Sequence, residues 1–416
     1  MSYPRRIGLP TELWYRIIQA LPSNDQRRCL YVSRMLHDIA WEIVFSHITI
    51  RFGLWRDVSD PCSEEVCDDE QVEADKATRL SCELLRHIKQ SPDLACIVMG
   101  MTVRAYTYPE EGPSQELIEA TGDALSVLRL HAFAWYGRGP EPQPEVLEAL
   151  IEHSSDTLSE LTLPPELPDF CPFLPSINHL RSLAFLPHHK IDGDLADVFE
   201  EHSDALPLLT SCKVMCGWMT AEDIEAFATF LQGKSFLQRL DFVHSYGWAS
   251  EDEPLTNEPV LRVLKDLPHL TILGCDIRSQ QLTSDHLAEL SACIPRHLTA
   301  LSLRISASEM TLTEDEWAEF FEAQEFCRYL QLLPDNDIEL ESVVSRHPPP
   351  VLQLLGYKRN LRWVSRNPST KEVLYSDSWP ASKVYFRQTD DFGYEDWEWL
   401  LRHHGQDSII NNLPTE

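Results

Sequence analysis

Apolar residues recur at three- and four-residue spacing through the first fifty positions. Leu13, Ile17 and Leu21 fall at i, i+4 and i+8 on one helical face, and Pro10 can open that helix because its missing N–H would be unpaired in the first turn anyway. Leu21-Pro22 ends it. Ser23-Asn24-Asp25-Gln26 has the form of a capping box, predicting a second helix with Cys29, Val32, Leu36 and Ile39 on one side. Trp41, Val44 and Phe45 form a third apolar cluster almost without a loop. Three short helices bury little apolar surface alone, so part of it must meet a partner or the following domain.

From about residue 90 the period changes. An apolar residue, two variable ones, an apolar, one variable and another apolar recur at Leu94/Ile97/Met99, Leu125/Leu128/Leu130, Leu158/Leu161/Leu163, Leu180/Leu183/Phe185, Leu209/Cys212/Val214, Leu237/Leu240/Phe242, Leu270/Leu273/Cys275 and Leu298/Leu301/Leu303. The alternation inside each copy predicts a short strand whose last two apolar side chains share a face. Between copies lie helix starts: Thr220-Ala221-Glu222-Asp223 before Ile224 and Phe227, and Ser284 before Leu287 and Leu290. A strand and a helix recurring at 22 to 33 residues make a solenoid in which each unit stacks on the next.

The last hundred residues break this rhythm. Thr313-Glu314-Asp315-Glu316 is a further capping box, and LRWVSRNPSTKEVLYSD alternates around an Asn-Pro-Ser-Thr turn, as a hairpin does. Nine aromatics lie between Leu361 and Leu400. They predict either a terminal cap over the last repeat or a pocket built from Trp379, Tyr385, Tyr394, Trp397 and Trp399.

Charge divides the chain at the same places. Residues 1–52 carry seven Arg, no Lys and four acids, a net of 7 − 4 = +3, so the remaining positions hold 28 − 62 = −34 of the total −31. Such an excess of acid repels phosphate backbones and anionic membrane surfaces, which argues against nucleic-acid and lipid partners. Nine acids and no base between Asp57 and Asp75 predict a solvated linker. The domains expected are thus 1–52 helical, 53–78 linker, 79–310 solenoid and 311–416 capping region. Eleven cysteines without a CxxC pair, a start without an apolar signal core and no apolar run long enough for a bilayer predict a cytoplasmic or nuclear protein.

The N-terminal segment LPTELWYRIIQALPSNDQRRCLYVSRMLHDIAWEIVF resembles an F-box, through Leu9-Pro10-x-Glu12-Leu13, Ile17-Ile18-x-x-Leu21-Pro22 and Val32-Ser33-Arg34. The strand–helix period resembles degenerate leucine-rich repeats, and the pair together resembles the fungal kind of F-box protein. The fold implied is α/β: a three-helix F-box, then an irregular horseshoe, then an aromatic-rich cap. The irregularity is expected because Phe133, Glu166, His188, Gly217, Ser245, Arg278 and Ser306 stand where such repeats place Asn or Cys. The resemblance implies that Leu9, Pro10, Leu13, Ile17, Leu21, Pro22, Val32 and Leu36 contact the Skp adaptor, or form the small core behind that contact. Through the adaptor come cullin and RING subunits.

No pattern for chemistry competes with this. Gly233-Lys234-Ser235 resembles the end of a phosphate loop, but Ala228 stands where the leading Gly must be. No nucleophile elbow, zinc helix or dinucleotide turn occurs, so no enzyme, metal or cofactor is expected. Binding is the function left. In a leucine-rich horseshoe the variable residues beside the last two apolar positions line the inner face: Arg129, His131, Lys213, Arg239 and Arg304 against Glu160, Asp241 and Asp276. This face, with Trp379, Tyr385, Trp397 and Trp399, is expected to hold an acidic or phosphorylated client segment. The expectation is a non-catalytic substrate receptor of an SCF-type ubiquitin ligase; the alternative is a repeat scaffold without a ligase.

Overall fold

The computed structural model describes residues 9–53, 68–106, 115–139, 142–164, 173–185, 195–216, 219–244, 257–334, 339–358, 360–379 and 399–400. The chain divides into two compact units: Met1–Trp55, Cys67–Trp135 and Gly139–Leu158 in the first, and Arg56–Val66, Tyr136–Arg138 and Ser159–Glu416 in the second.

The first unit opens with α1 (Thr11–Gln19), α2 (Ser23–Cys29) and α3 (Arg34–Phe45). Ile18, Ile39 and Ala40 are their buried centre, with Trp14, Tyr15, Cys29, Leu30, Leu36 and Ile43 packed around it. The predicted capping box at Ser23 is not formed. Helix α2 begins at Ser23 itself with Pro22 as its N-cap, and no side chain caps it. The Gln26 amide instead donates to the carbonyls of Gln19 and Leu21, at 3.1 and 2.9 Å, satisfying the end of α1. The side-chain cap is one element later, where Ser33 Oγ accepts from the Leu36 amide at the start of α3.

The unit continues with β1 (His47–Gly53), α4 (Asp68–Gln90), α5 (Pro92–Ala95), β2 (Gly100–Tyr106), α6 (Gln115–Leu125), β3 (Ala132–Gly139) and α7 (Pro144–Ser154). Strands β1 and β2 pair in parallel from His47↔Gly100 to Gly53↔Tyr106. Two expectations fail here. Residues 68–78 belong to α4 and not to a linker, because Ala74, Ser81, Cys82, Leu85 and Ile88 recur at helical spacing and are buried; charge density hid that period. The Leu94 and Leu125 copies are not strands. They end helical turns, and the strands start later, at Gly100 and Ala132, with Met101, Val103, Phe133 and Trp135 inside.

The second unit holds β4 (Glu160–Leu163), β5 (Ser182–Phe185), α8 (Leu195–Glu201), β6 (Ser211–Cys216), α9 (Ala221–Gln232), β7 (Arg239–His244), α10 (Glu258–Leu264), β8 (Ile272–Leu282), α11 (Ser284–Cys293), β9 (Ala300–Met310), α12 (Glu314–Glu322), β10 (Tyr329–Pro334), α13 (Glu341–Arg346) and β11 (Leu354–Tyr357). Strands β4 to β11 are parallel, each bonded to the next in chain order. Parallel pairing therefore runs past residue 310 through β10 and β11, where Cys327/Leu330/Leu332 and Leu352/Leu355/Tyr357 continue the pattern with Cys and Tyr for Leu. Thr220–Asp223 and Thr313–Glu316 form their capping boxes; the box of α11 starts at Thr283, one residue before the expected Ser284.

Two sets of residues alternate along these strands. Leu183, Cys212, Leu240, Leu273, Leu301, Leu330 and Leu355 stand in register, as do Phe185, Val214, Phe242, Cys275, Leu303 and Leu332. This face meets the helices: the Phe242 ring lies 5.1 Å from that of Phe227 in α9. The Asn ladder of ordinary repeats has a substitute at the strand entrances. The amides of Arg181, Thr210, Gln238, Thr271, Thr299, Arg328 and Gln353 each donate to the carbonyl of the corresponding residue one repeat earlier, at 2.7–2.8 Å. Main-chain bonds need no particular side chain, so the ladder leaves no sequence signature.

The sheet ends on a reversal. Strands β12 (Asn360–Arg366) and β13 (Val373–Tyr375) are antiparallel to their neighbours, joined through a turn in which Asn367 Oδ1 accepts from the amides of Ser369 and Thr370 and Lys371 has a φ of 62°.

Candidate functional site

Two surfaces carry the residues that the sequence singles out, and they are opposite in character. On the three-helix head, Leu9, Leu13, Ile17 and Val32 are 47%, 44%, 43% and 65% exposed. Pro10 and Pro22 are exposed as well, whereas Leu21 and Leu36 are half-buried, Leu36 against the Ile18–Ile39–Ala40 centre. Tyr31 at 89% and Met35 at 43% add to the apolar surface. Both were missed because the helical period assigns Val32 and Leu36, not their neighbours, to the apolar stripe. Three helices this short lack the volume to enclose all their apolar side chains between them.

The second surface is the sheet face opposite the helices. Its first row is Ser211, Arg239, Ile272, Ala300, Tyr329 and Leu354, one residue from each of β6 to β11; its second is Lys213, Asp241, Gly274, Ser302, Gln331 and Gly356. The sequence predicts an open, solvated surface here. Instead Lys213 and Asp241 are each about 1% exposed, and so is Asp276. Trp379, Trp399 and Leu400 pack with Ile272, Ala300, Tyr329, Leu354 and Leu361 into a single apolar cluster.

At its charged end, Lys213 Nζ lies 2.7 Å from Asp241 Oδ2 and donates to the carbonyls of Trp399 and Leu400 at 3.2 and 3.1 Å. The same ammonium sits 4.9 Å from the centre of the Trp399 ring. Gly274 supplies the room: a Cβ there would come 2.1 Å from Asp241 Oδ1 and 3.2 Å from Leu400 Cδ2. Asp276 accepts from Arg278 Nε at 2.8 Å, and its carbonyl accepts from the Asn257 amide.

No family model and no curated protein matches the chain. Among solved structures it is similar to the leucine-rich repeat-containing protein LegL7 from Legionella pneumophila, at 11% identity over 70% of this chain and 91% of that one, with a TM-score of 0.36. A chain of the yeast Rad7 and Elc1 complex is 12% identical over 84% and 93%, TM-score 0.36. TLR13 in complex with ssRNA13 is 14% identical over 66% of this chain and 38% of its own, TM-score 0.31. At such identities and scores, the repeat architecture rests on the strand pairings of the chain itself.

The expected client residues therefore separate. Lys213, Trp379 and Trp399 come together, but as buried partners of one another and not as an exposed clamp. Arg239 and Arg304 are half-buried on the same face. Arg129 and His131 are exposed, ahead of β3 in the first unit, and are not strand residues. Tyr385, Tyr394 and Trp397 lie outside the described residues. Lys234, from the failed phosphate-loop motif, is buried just after α9, donates to the Ser203 carbonyl and lies 4.1 Å from the Phe230 ring centre. Burial lowers its pKa to about 8. Burial pushes the thiols of Cys212 and Cys327 up to about 12 and that of Cys275 higher still, making them poor nucleophiles. Among the described residues no group of three His, Cys, Asp or Glu could hold a metal ion, and no helix is long and apolar enough to cross a membrane.

Proposed function

We propose that this chain is the non-catalytic substrate receptor of an SCF-type cullin-RING ubiquitin ligase. The three N-terminal helices bind the Skp adaptor, which brings the cullin and RING subunits, and the parallel strand–helix array binds the client protein. The observation that carries the reading is the exposed apolar set Leu9, Leu13, Ile17, Tyr31, Val32 and Met35 on a head whose own buried centre is only three residues. Exposed apolar surface concentrated on three short helices marks a protein contact. It falls on the segment that resembles an F-box, and four of its six members, Leu9, Leu13, Ile17 and Val32, are positions the resemblance assigns to the adaptor.

The test is capture of purified Skp adaptor by the full chain and by a Leu13→Asp/Ile17→Asp variant. Two carboxylates in an apolar contact lose at least about tenfold in affinity. Equally poor retention by both proteins would leave the scaffold reading in place of the receptor.

A further inference from the structure

The sheet face opposite the helices mixes anchors and charges in a way a permanent core does not. Ile272, Tyr329 and Leu354 offer apolar surface, while Lys213 and Asp241 beside them are ionic groups brought to near-zero exposure. What lies over them comes from far along the chain: the two carbonyls on Lys213 belong to residues 186 and 187 positions away. Docking Trp399 and Leu400 buries apolar area but also removes two charges from water, and that desolvation offsets much of the gain. A cover balanced in this way can be exchanged. The contacts to the ammonium are main-chain oxygens, which any peptide supplies, so selectivity lies in the aromatic ring over Lys213 and the aliphatic side chain against Gly274.

We propose that this face of β6 to β11 is a peptide-binding surface for a partner segment presenting an aromatic residue followed by an aliphatic one, and that Trp399-Leu400 occupies it in cis until such a segment displaces it. The proposal deepens the client-binding half of the receptor reading and is independent of the adaptor. It also revises the expected client. The Lys213 ammonium is matched by Asp241 and by two carbonyls, so it offers an acidic or phosphorylated segment no unbalanced charge. A tethered occupant acts at an effective concentration of the order of millimolar, so a free peptide competes poorly until the occupant is weakened.

The experiment uses the full chain and a fluorescent peptide with the sequence of residues 394–404. A Trp399→Ala/Leu400→Ala variant is expected to bind the peptide at least tenfold more tightly than the wild type, and adding Lys213→Met to that variant is expected to weaken binding again. A folded double variant that fails to bind, or a wild type that binds equally well, overturns the proposal; so does loss of the fold in the double variant, since a displaceable occupant is not required for folding. Hydrogen exchange on the wild type decides without any variant. The amides of residues 399 and 400 are expected to exchange at least tenfold faster than those of Lys213 and Asp241, and equal rates would contradict displacement. Adaptor capture enters none of these readouts, so failure here and failure of the receptor reading are told apart.

Discussion

The helical head and the sheet face of the second unit opposite its helices invert the usual arrangement of a protein surface in opposite directions. The head leaves Leu13, Ile17 and Val32 in water, whereas the sheet face hides Lys213, Asp241 and Asp276 from it. In the proposed reading the cause is the same: each surface is shaped for a contact. On the head no described residue covers Leu13, Ile17 and Val32, and they stay exposed. On the sheet the chain supplies its own cover, so charges that would lie in solvent on an open strand face become buried.

Removing one member of the buried pair should have the largest effect. Lys213→Met leaves Asp241 as an uncompensated buried charge and is expected to cost about 3–5 kcal/mol of stability, while Lys213→Met/Asp241→Leu should recover most of it. Urea unfolding of the wild type, both single variants and the double variant measures the coupling. Additive losses would mean that the two charges do not act as a pair.

Alkaline pH probes the buried thiols of the second unit. Below pH 8 Lys234 is charged in the fold at a desolvation cost, which is relieved as pH rises from about 8 toward its ordinary value of 10.5, so stability first increases. Above the ordinary thiol value of 9.0, Cys212, Cys275 and Cys327 stay protonated in the fold but ionise in the unfolded chain. Three retained protons against one lysine give a net loss of up to about 3 kcal/mol per pH unit. Unfolding midpoints between pH 7.5 and 10 should therefore pass through a maximum near 9, and Lys234→Met should remove the rise while keeping the fall.

Gly274→Ala tests whether the cover needs room. The new methyl meets the Asp241 carboxylate and Leu400, and overpacking of this kind costs about 1–3 kcal/mol. Unfolding of this variant should show that loss together with faster proteolysis around residue 400. The smallest change is expected on the head: Leu13→Asp/Ile17→Asp alters exposed positions and should leave the melting transition within about 0.5 kcal/mol of wild type. A large loss there would make the apolar set a structural element instead of a contact surface.

The strands from β4 to β9 were legible because each carries its two inward apolar residues at fixed spacing after a leading Leu. The strands β10 and β11 lie beyond the copies read because Cys327 and Tyr357 fill Leu positions, and β2 and β3 start later than read because a turn follows Leu94 and Leu125, so that Val98/Met101/Val103 and Leu130/Phe133/Trp135 carry the pattern. The candidate site was legible in part. Alternation placed Lys213 and Asp241 on the face away from the helices, and the aromatic density marked Trp379 and Trp399. Their union was not legible, since nothing in local pattern relates Lys213 to a carbonyl at residue 400. Long-range docking of this sort depends on shape, here on the missing side chain of Gly274.

The reversed strands at the end of the sheet have a consequence for growth. A row of parallel strands has no intrinsic last member, because each exposes to the next the same sequence of amides and carbonyls that it uses itself. Strand β12 turns that direction round, and β13 offers only three residues beyond it. Because β13 is reversed again relative to β12, it runs in the polarity of β4 to β11, and a second copy approaching in that polarity meets, among the described residues, a border only three residues long. The turn at Asn367–Lys371 thus restores the direction that β12 had reversed, and among the described residues it is the shortness of β13, not its polarity, that limits extension at that edge.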